Sequence, residues 1–459
     1  MSDRIELDTD QLAAVERMVG EPTRAALNAS QYGTGKTVVT VEVAQRVAPQ
    51  NTKLIACPIF TKQSWKSTIL RQYPDANIQM VDSTKKGKQA LSDLVAGIAG
   101  WYIIGRELLV SKSVRDVVAK ASPTIAVLLY DECAKWGNRN SAGFKTMKTF
   151  KPQYKMALSA TPHGNRFENM FAISYWLWPD YIKAKSGTSF WRWVFFWATT
   201  EEDFFSGVQV TGEKTPGAYV SQLPCYIRLE KDFGEYIEDT VNITLSPKER
   251  KAYDLFEKNL VAQIEGGYLV AKFPIVKRIR LRQMTLGEVF INENDEVDFP
   301  TDMKSTKYDT LKGIIDYYPD EAMLILTDSA KFARVVTNKL KEDGYAAEEW
   351  SGAISETGRE RIKDGFVHAN GVDYIVATIA AIGEGVDGLQ ARSRFMVWLS
   401  RSDNGQLNQQ AFRRLYRRGQ ERTVISLDIE ADDTYDNGQL SSLITTAMAR
   451  ARELKKNGA

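Results

Sequence analysis

Through the first 180 residues, short apolar runs alternate with segments of helical spacing. LIAC (54–57), WYII (101–104), IAVLLY (125–130) and KMALSA (155–160) read as strands buried on both faces. Between them, Thr37–Val47 and Lys88–Ile98 place apolar residues at helical intervals. That alternation predicts an α/β fold with a doubly wound parallel sheet. A second series begins near Ser305, with helices at Tyr308–Tyr317, Lys331–Asp343 and Arg359–Val367. Its strands are AMLIL (322–326), VDYIVAT (372–378), RFMVWL (394–399) and TVISLDI (423–429). Two lobes, each with its own sheet, are expected.

The stretch 180–305 has a different texture. It holds the aromatic cluster FWRWVFFW (190–197), a Gly-containing turn region (205–218) and the acidic loop INENDEVDFPTD (291–302). The expected organisation is a first lobe over 1–235 carrying a helical insertion with an aromatic core at about 180–225. A helical linker over 236–304, a second lobe over 305–430 and a tail over 431–459 follow, the tail with one helix at Ser441–Lys455. No repeat of 20–50 residues and no low-complexity segment is visible.

Composition narrows the chemistry. The 60 Lys+Arg and 58 Asp+Glu of the 459 residues leave a net charge of +2, which excludes a polycation but not a local basic groove. Three scattered cysteines predict neither disulfides nor a zinc site, and a reducing compartment is expected. Two histidines leave little for a His-based metal centre or a Ser-His-Asp triad. No secretion signal and no apolar run of membrane-spanning length is present, so no membrane partner is expected.

Gly33-Thr34-Gly35-Lys36-Thr37 follows the apolar stretch Ala25–Leu27 and opens a helical pattern, the strand–loop–helix context of a P-loop. Its glycines let backbone N–H groups turn around phosphate oxygens at a helix N-terminus. Lys36 is expected on the β/γ-phosphates and Thr37 on Mg²⁺. Ser30 stands where the longer motif has its first glycine. Asp131-Glu132 follow a buried strand, and paired carboxylates there are costly unless they bind something. They suit metal and water chemistry, Asp131 through the Mg²⁺ water shell and Glu132 on the attacking water. Ser159-Ala160-Thr161-Pro162 ends the next apolar run and by itself reads as a turn. Arg414 and Arg417, three apart in QAFRRLYRRGQ (410–420), fit one face of a helix, either as arginine fingers or as a solvated basic face.

These motifs, in order, resemble the superfamily 2 helicase/translocase core, and more narrowly its Swi/Snf-like branch. QAFRRLYRRGQ resembles the branch's final arginine motif, DECAKWGNRNS (131–141) its acidic motif, and SATPHGN (159–165) the motif after it. Cys57-Pro58 with Trp65, CYIRLEKDF (225–233) and ITLSPKERKAYDLF (243–256) resemble further elements in order. DECA replaces DEAH, and the glycine motif TIAAIGEGVD is closer to superfamily 2 in general. The compact size and mixed motifs are similar to bacterial or phage branch-migration and fork-remodelling helicases.

The resemblance implies two RecA-like lobes of the P-loop NTPase class with ATP and Mg²⁺ between them. It implies Gln11 on adenine; Gly33, Thr34, Gly35, Lys36 and Thr37 on phosphates and metal; Asp131 and Glu132 on metal and water. Gly385, Asp387, Gln410, Arg414 and Arg417 are implied from the second lobe. For nucleic acid it implies Lys62, Trp65, Arg106, Thr327, Ser351, Gly352 and Thr378, with the basic run Lys272–Arg282 either adding to the groove or forming a solvated face. The expectation is a monomeric, cytoplasmic, DNA-dependent ATPase of a bacterial or phage-infected cell, acting on duplex or branched DNA without sequence preference. An RNA-directed helicase and a non-hydrolysing nucleic-acid-binding module are the alternatives.

Overall fold

The computed structural model describes residues 4–437, apart from Asn165, Thr188, 204–206, Leu260, 265–266, 271–273, Asp295 and 384–385. The chain divides into two compact units, the second beginning at Asp232. The expected tail helix and Lys272 lie outside the described residues, as does Gly385.

In the first unit, β1 (Ala25–Asn28), β2 (Thr52–Cys57), β3 (Ile78–Val81), β4 (Gly100–Gly105), β5 (Val127–Asp131), β6 (Tyr154–Leu158) and β7 (Tyr226–Ile227) form a sheet in the order β3-β4-β2-β5-β6-β1-β7. Every pairing in it is parallel. Parallel strands send all their carboxyl ends to one edge, where α/β sheets hold ligands. The register makes this specific: Asn28 of β1 and Asp131 of β5 both pair with Leu158 of the intervening β6. Two strand spacings, roughly 10 Å, therefore separate the strand that enters the P-loop from the strand that ends in the carboxylates.

In the second unit, β8 (Tyr236–Ile243), β9 (Met323–Thr327), β10 (Ala347–Trp350), β11 (Tyr374–Thr378), β12 (Phe395–Trp398) and β13 (Val424–Ala431) form a parallel sheet in the order β8-β13-β12-β9-β11-β10. Alternate residues of β9 feed different cores. Met323 and Ile325 join one cluster, Leu324 and Leu326 the other. Apolar side chains packed on both faces explain why these strands read as unbroken apolar runs.

The region expected to be a helical linker, 236–304, is not one. Its first eight residues are β8, an edge strand of the second sheet, and helices Pro247–Asn259 and Pro274–Leu286 contribute Tyr253, Phe256, Leu281 and Met284 to that unit's core. The insertion at 180–225 is also mixed. Helix Phe190–Trp197 runs into an antiparallel hairpin, Ala198–Asp203 with Gly207–Glu213. Trp193 is fully buried against Phe167, Phe171 and Tyr219, whereas Trp191, Phe195 and Phe196 are exposed. Among the described residues no helix is long and apolar enough to cross a membrane.

The second sheet buries charge near the carboxyl end of β13. Lys307 pairs with Asp436 at 2.7 Å and donates to the Leu399 carbonyl, while Arg401 grips both oxygens of Asp428. Glu430, on the same face of the strand as Asp428, is pushed up to about 7 by burial and then by Asp428 and Asp436. A carboxyl raised on folding stabilises most below its unfolded value, and that contribution is lost as pH rises through about 7. Glu430→Gln is therefore expected to raise Tm at pH 8, with a ceiling of about 3 kcal/mol from the size of the shift, and to bring a much smaller gain at pH 5. Thermal melts of both proteins across pH 5–8 check this, and a pH-independent difference would contradict it.

Candidate functional site

The first unit's ligand edge begins with the loop after β1. Gly33 and Gly35 lie at φ 80° and 85°, left-handed values that glycine adopts without strain. Gly35 has a second reason: a Cβ there would stand 2.4 Å from Gln11 Nε2. Gln11 sits in helix α1 (Thr9–Val19), closes a capping box with Asp8, and donates from Nε2 to the Thr34 carbonyl at 2.8 Å. Its side chain thus braces the loop. Helix α2 (Lys36–Val47) starts at once, and no side chain caps its N-terminus, the arrangement that receives anions. Lys36 Nζ donates to the carbonyls of Ser30 and Gln31 at 2.8 and 2.9 Å, so the lysine of the phosphate loop is held within it. Thr37 follows in the first turn of α2.

Ser30 in place of the first glycine has a structural reason. Its buried hydroxyl accepts the Leu229 N–H at 3.0 Å. The segment after β7 continues alongside the loop, with Ala29 N–H donating to the Ile227 carbonyl and Gln31 N–H to that of Leu229. Arg228 Nη1 reaches the carbonyls of both Ala29 and Ala160 at 3.3 Å, tying the loop after β1 to the turn after β6. Lys231, the last residue before the second unit, pairs with Asp8. CYIRLEKDF shows its resemblance to a family element in the sequence, but its bracing of the phosphate loop comes only from these tertiary hydrogen bonds.

At the end of β5, Asp131 Oδ1 accepts the Glu132 N–H at 3.0 Å and Oδ2 accepts the indole N–H of Trp65 at 2.9 Å. Burial pushes the Asp131 carboxyl above the usual carboxylate range; the Trp65 N–H and the Lys36 charge oppose that rise. Glu132 lies at φ 51°, ψ 51°. A left-handed glutamate is strained by about 1–2 kcal/mol, and it turns this side chain away from the direction a continuing strand would give it. Ser159 Oγ donates to Glu132 Oε2 at 3.4 Å, a long contact that joins the turn after β6 to the carboxylate pair. Cys133 stands at the alanine of DEAH and Ala134 at its histidine; Cys133 is buried, and its thiol is held well above its ordinary range by burial and the two carboxylates.

In the second unit the two arginines do not share a helix. The helix Gly405–Phe412 ends before them, and a run of turns through Gly419 (φ 88°) carries both. Arg414 donates to the carbonyls of Gly383 and Val386, each at 2.7 Å, and Arg417 pairs with Asp387. Gln410 is buried against Gly383. The arginine motif and the glycine motif therefore meet within one unit.

The SNF2-related domain matches residues 11–288, more than half of the chain. The chain belongs to the SNF2-related family. It is 22% identical over 256 residues, 52% of its length, to the ISWI chromatin-remodeling complex ATPase CHR11 of Arabidopsis thaliana and to the chromatin-remodeling ATPase INO80 of Kluyveromyces lactis. The match spans only 22% and 16% of those two relatives. A solved SWI2/SNF2 ATPase core of Sulfolobus solfataricus, in complex with dsDNA, aligns over 96% of this chain and 92% of its own at 18% identity and a TM-score of 0.42.

The nucleic-acid residues expected of this SNF2-related chain fall into two groups. Lys62, half-buried at the start of helix α3 (Lys62–Gln72), and the exposed Gly352 remain at or near the surface. The others are turned inward. Trp65 is 1% exposed, Thr327 is buried on Ser400 Oγ, and Ser351 is buried with its carbonyl accepting from Arg359. Thr378, at the end of β11, is buried, and Arg106 pairs with Glu107 with 15% of its side chain exposed. Trp65, Thr327, Ser351 and Thr378 are thus buried, and Arg106 is half-buried. The basic run is mixed: Arg282 is turned inward onto Asp328 and Asp403, whereas Lys277 makes an exposed contact with the Glu257 carbonyl.

Among the described residues no group of three or more His, Cys, Asp and Glu side chains is placed to hold a metal. Mg²⁺ needs no such cage: it keeps most of its waters and takes one or two carboxylates with substrate phosphates. Asp131 at the end of β5 and Thr37 in the first turn of α2 offer hard oxygen donors of the kind Mg²⁺ takes.

Proposed function

We propose that this chain is a nucleic-acid-dependent ATPase that translocates on duplex DNA, with remodelling of branched or forked DNA as the finer possibility within that reading. One observation carries it: a SNF2-related chain has a P-loop lysine and an Asp-Glu pair on the same sheet edge, joined through the turn that follows β6. Lys36 and the uncapped α2 N-terminus receive the phosphates. Asp131 and Thr37 would hold Mg²⁺, which supplies charge neutralisation on the phosphates when bound. Glu132 orients and polarises the attacking water, and Arg414 and Arg417 are the second unit's cations for the transferring phosphoryl group. DNA contact through backbone phosphates makes the movement independent of sequence.

The test is ATP turnover with duplex DNA, single-stranded DNA, forks and RNA at one salt concentration, coupled to triplex displacement and fork reversal. Duplex-stimulated turnover with triplex displacement is the expected result. Stronger stimulation by RNA, or no hydrolysis with any nucleic acid in folded protein, overturns the proposal.

A further inference from the structure

We infer that Trp65 is a positioning residue for the metal-binding carboxylate: its indole N–H fixes the orientation of Asp131 while leaving each carboxylate oxygen an acceptor position for the metal's water shell. The inference rests on the nucleotide-site reading above and adds a residue to it. Trp65 lies 66 positions before Asp131, on α3, and is among the largest fully buried side chains of the chain. Buried indoles elsewhere give their N–H to neutral acceptors, Trp178 to Thr23 and the Ala25 carbonyl and Trp398 to Ser426, whereas Trp65 gives its own to a carboxylate at the ligand edge of the sheet.

The chemistry of the donor matters. A carboxylate oxygen accepts up to two hydrogen bonds, and Oδ1 and Oδ2 each take one here, from Glu132 N–H and from Trp65. One acceptor position therefore remains on each oxygen. Lysine or arginine at this place would neutralise Asp131 and compete with the cation. Indole is donor-only and uncharged, so it fixes the oxygen without cancelling its charge. Outer contacts of this kind usually change metal affinity by about 10- to 100-fold when removed.

Trp65→Phe removes the N–H and keeps an aromatic ring in the core. Binding of a fluorescent ADP analogue is measured against Mg²⁺ concentration, and again in EDTA. The expected result is about a tenfold higher Mg²⁺ requirement in the variant, with affinity in EDTA within twofold of wild type. An unchanged Mg²⁺ requirement, or an equal loss with and without Mg²⁺, overturns the assignment. If the variant does not fold, wild-type protein labelled with ¹⁵N-indole tryptophan decides. One of its ten indole N–H signals is expected to move both in Asp131→Asn and on adding Mg²⁺ to the ADP complex. No signal that responds to both overturns the inference. Wild type lacking Mg²⁺-dependent nucleotide binding would overturn the nucleotide site itself, a result distinct from a normal wild type with an indifferent Trp65→Phe.

Discussion

Glu132→Gln is expected to lower ATP turnover by about 10³-fold, equivalent to about 4 kcal/mol of barrier, while Mg²⁺-nucleotide still binds within a few-fold of wild type. Glutamine keeps the side-chain volume and the left-handed backbone at position 132, so the strain and the Asp131 Oδ1 contact with the residue 132 N–H persist. Ser159 Oγ can still donate to the amide oxygen. What disappears is the negative charge that polarises water. Single-turnover hydrolysis separates this from a binding defect. Equal losses in affinity and turnover would mean that Glu132 shapes the site rather than acts on water. Lys36→Ala should behave differently, weakening nucleotide binding as well, because it removes a phosphate cation and leaves the Ser30 and Gln31 carbonyls without its ammonium.

The parts of this site that could be read from the chain are those contiguous in it. Gly33–Thr37 and Asp131-Glu132 each carry their chemistry in a few adjacent residues, and the strands that present them are apolar runs because both faces of the sheets are covered. Strands at or beside the edges were harder to see. Ile78–Val81 is mostly half-buried, Ala347–Trp350 (AEEW) carries two glutamates, and Tyr236–Ile243 is largely exposed, so none gives an unbroken apolar signal. The bracing contacts were invisible for another reason. Trp65 with Asp131, Leu229 with Ser30 and Arg228 with Ala160 join residues 66, 199 and 68 positions apart, and only the strand order brings them together. For the same reason Trp65 read as a surface contact when the fold buries it. Spacing also misled at Arg414 and Arg417. Three residues apart suits a helix, but Arg414 is drawn to two carbonyls, Leu415 is buried, and the Tyr416 hydroxyl donates to the Gly234 carbonyl. Those tertiary contacts outweigh a helical propensity that differs little among such residues.

The two arginines are expected to fail in different ways when removed. Arg417 is held by one carboxylate, Asp387, which is itself more than half exposed, so Arg417→Ala forfeits a screened ion pair. Its Tm should stay within about a degree or two of wild type, while DNA-stimulated turnover falls by about 10³-fold, the scale on which a guanidinium serves a transferring phosphoryl. Arg414 is 11% exposed and satisfies the carbonyls of Gly383 and Val386. Arg414→Ala should therefore lose turnover and also destabilise the second unit by about 2–4 kcal/mol, because two backbone acceptors lose a charged donor. Lysine at 414 has a single nitrogen and cannot span both carbonyls as the fork does, so Arg414→Lys should recover little of that stability. Turnover and thermal melts on the same preparations make the distinction. A large Tm loss in Arg417→Ala, or none in Arg414→Ala, would reverse the roles assigned to them. Asp387→Asn supplies the converse: it releases Arg417 from its carboxylate, and turnover should persist if that pair only parks the arginine.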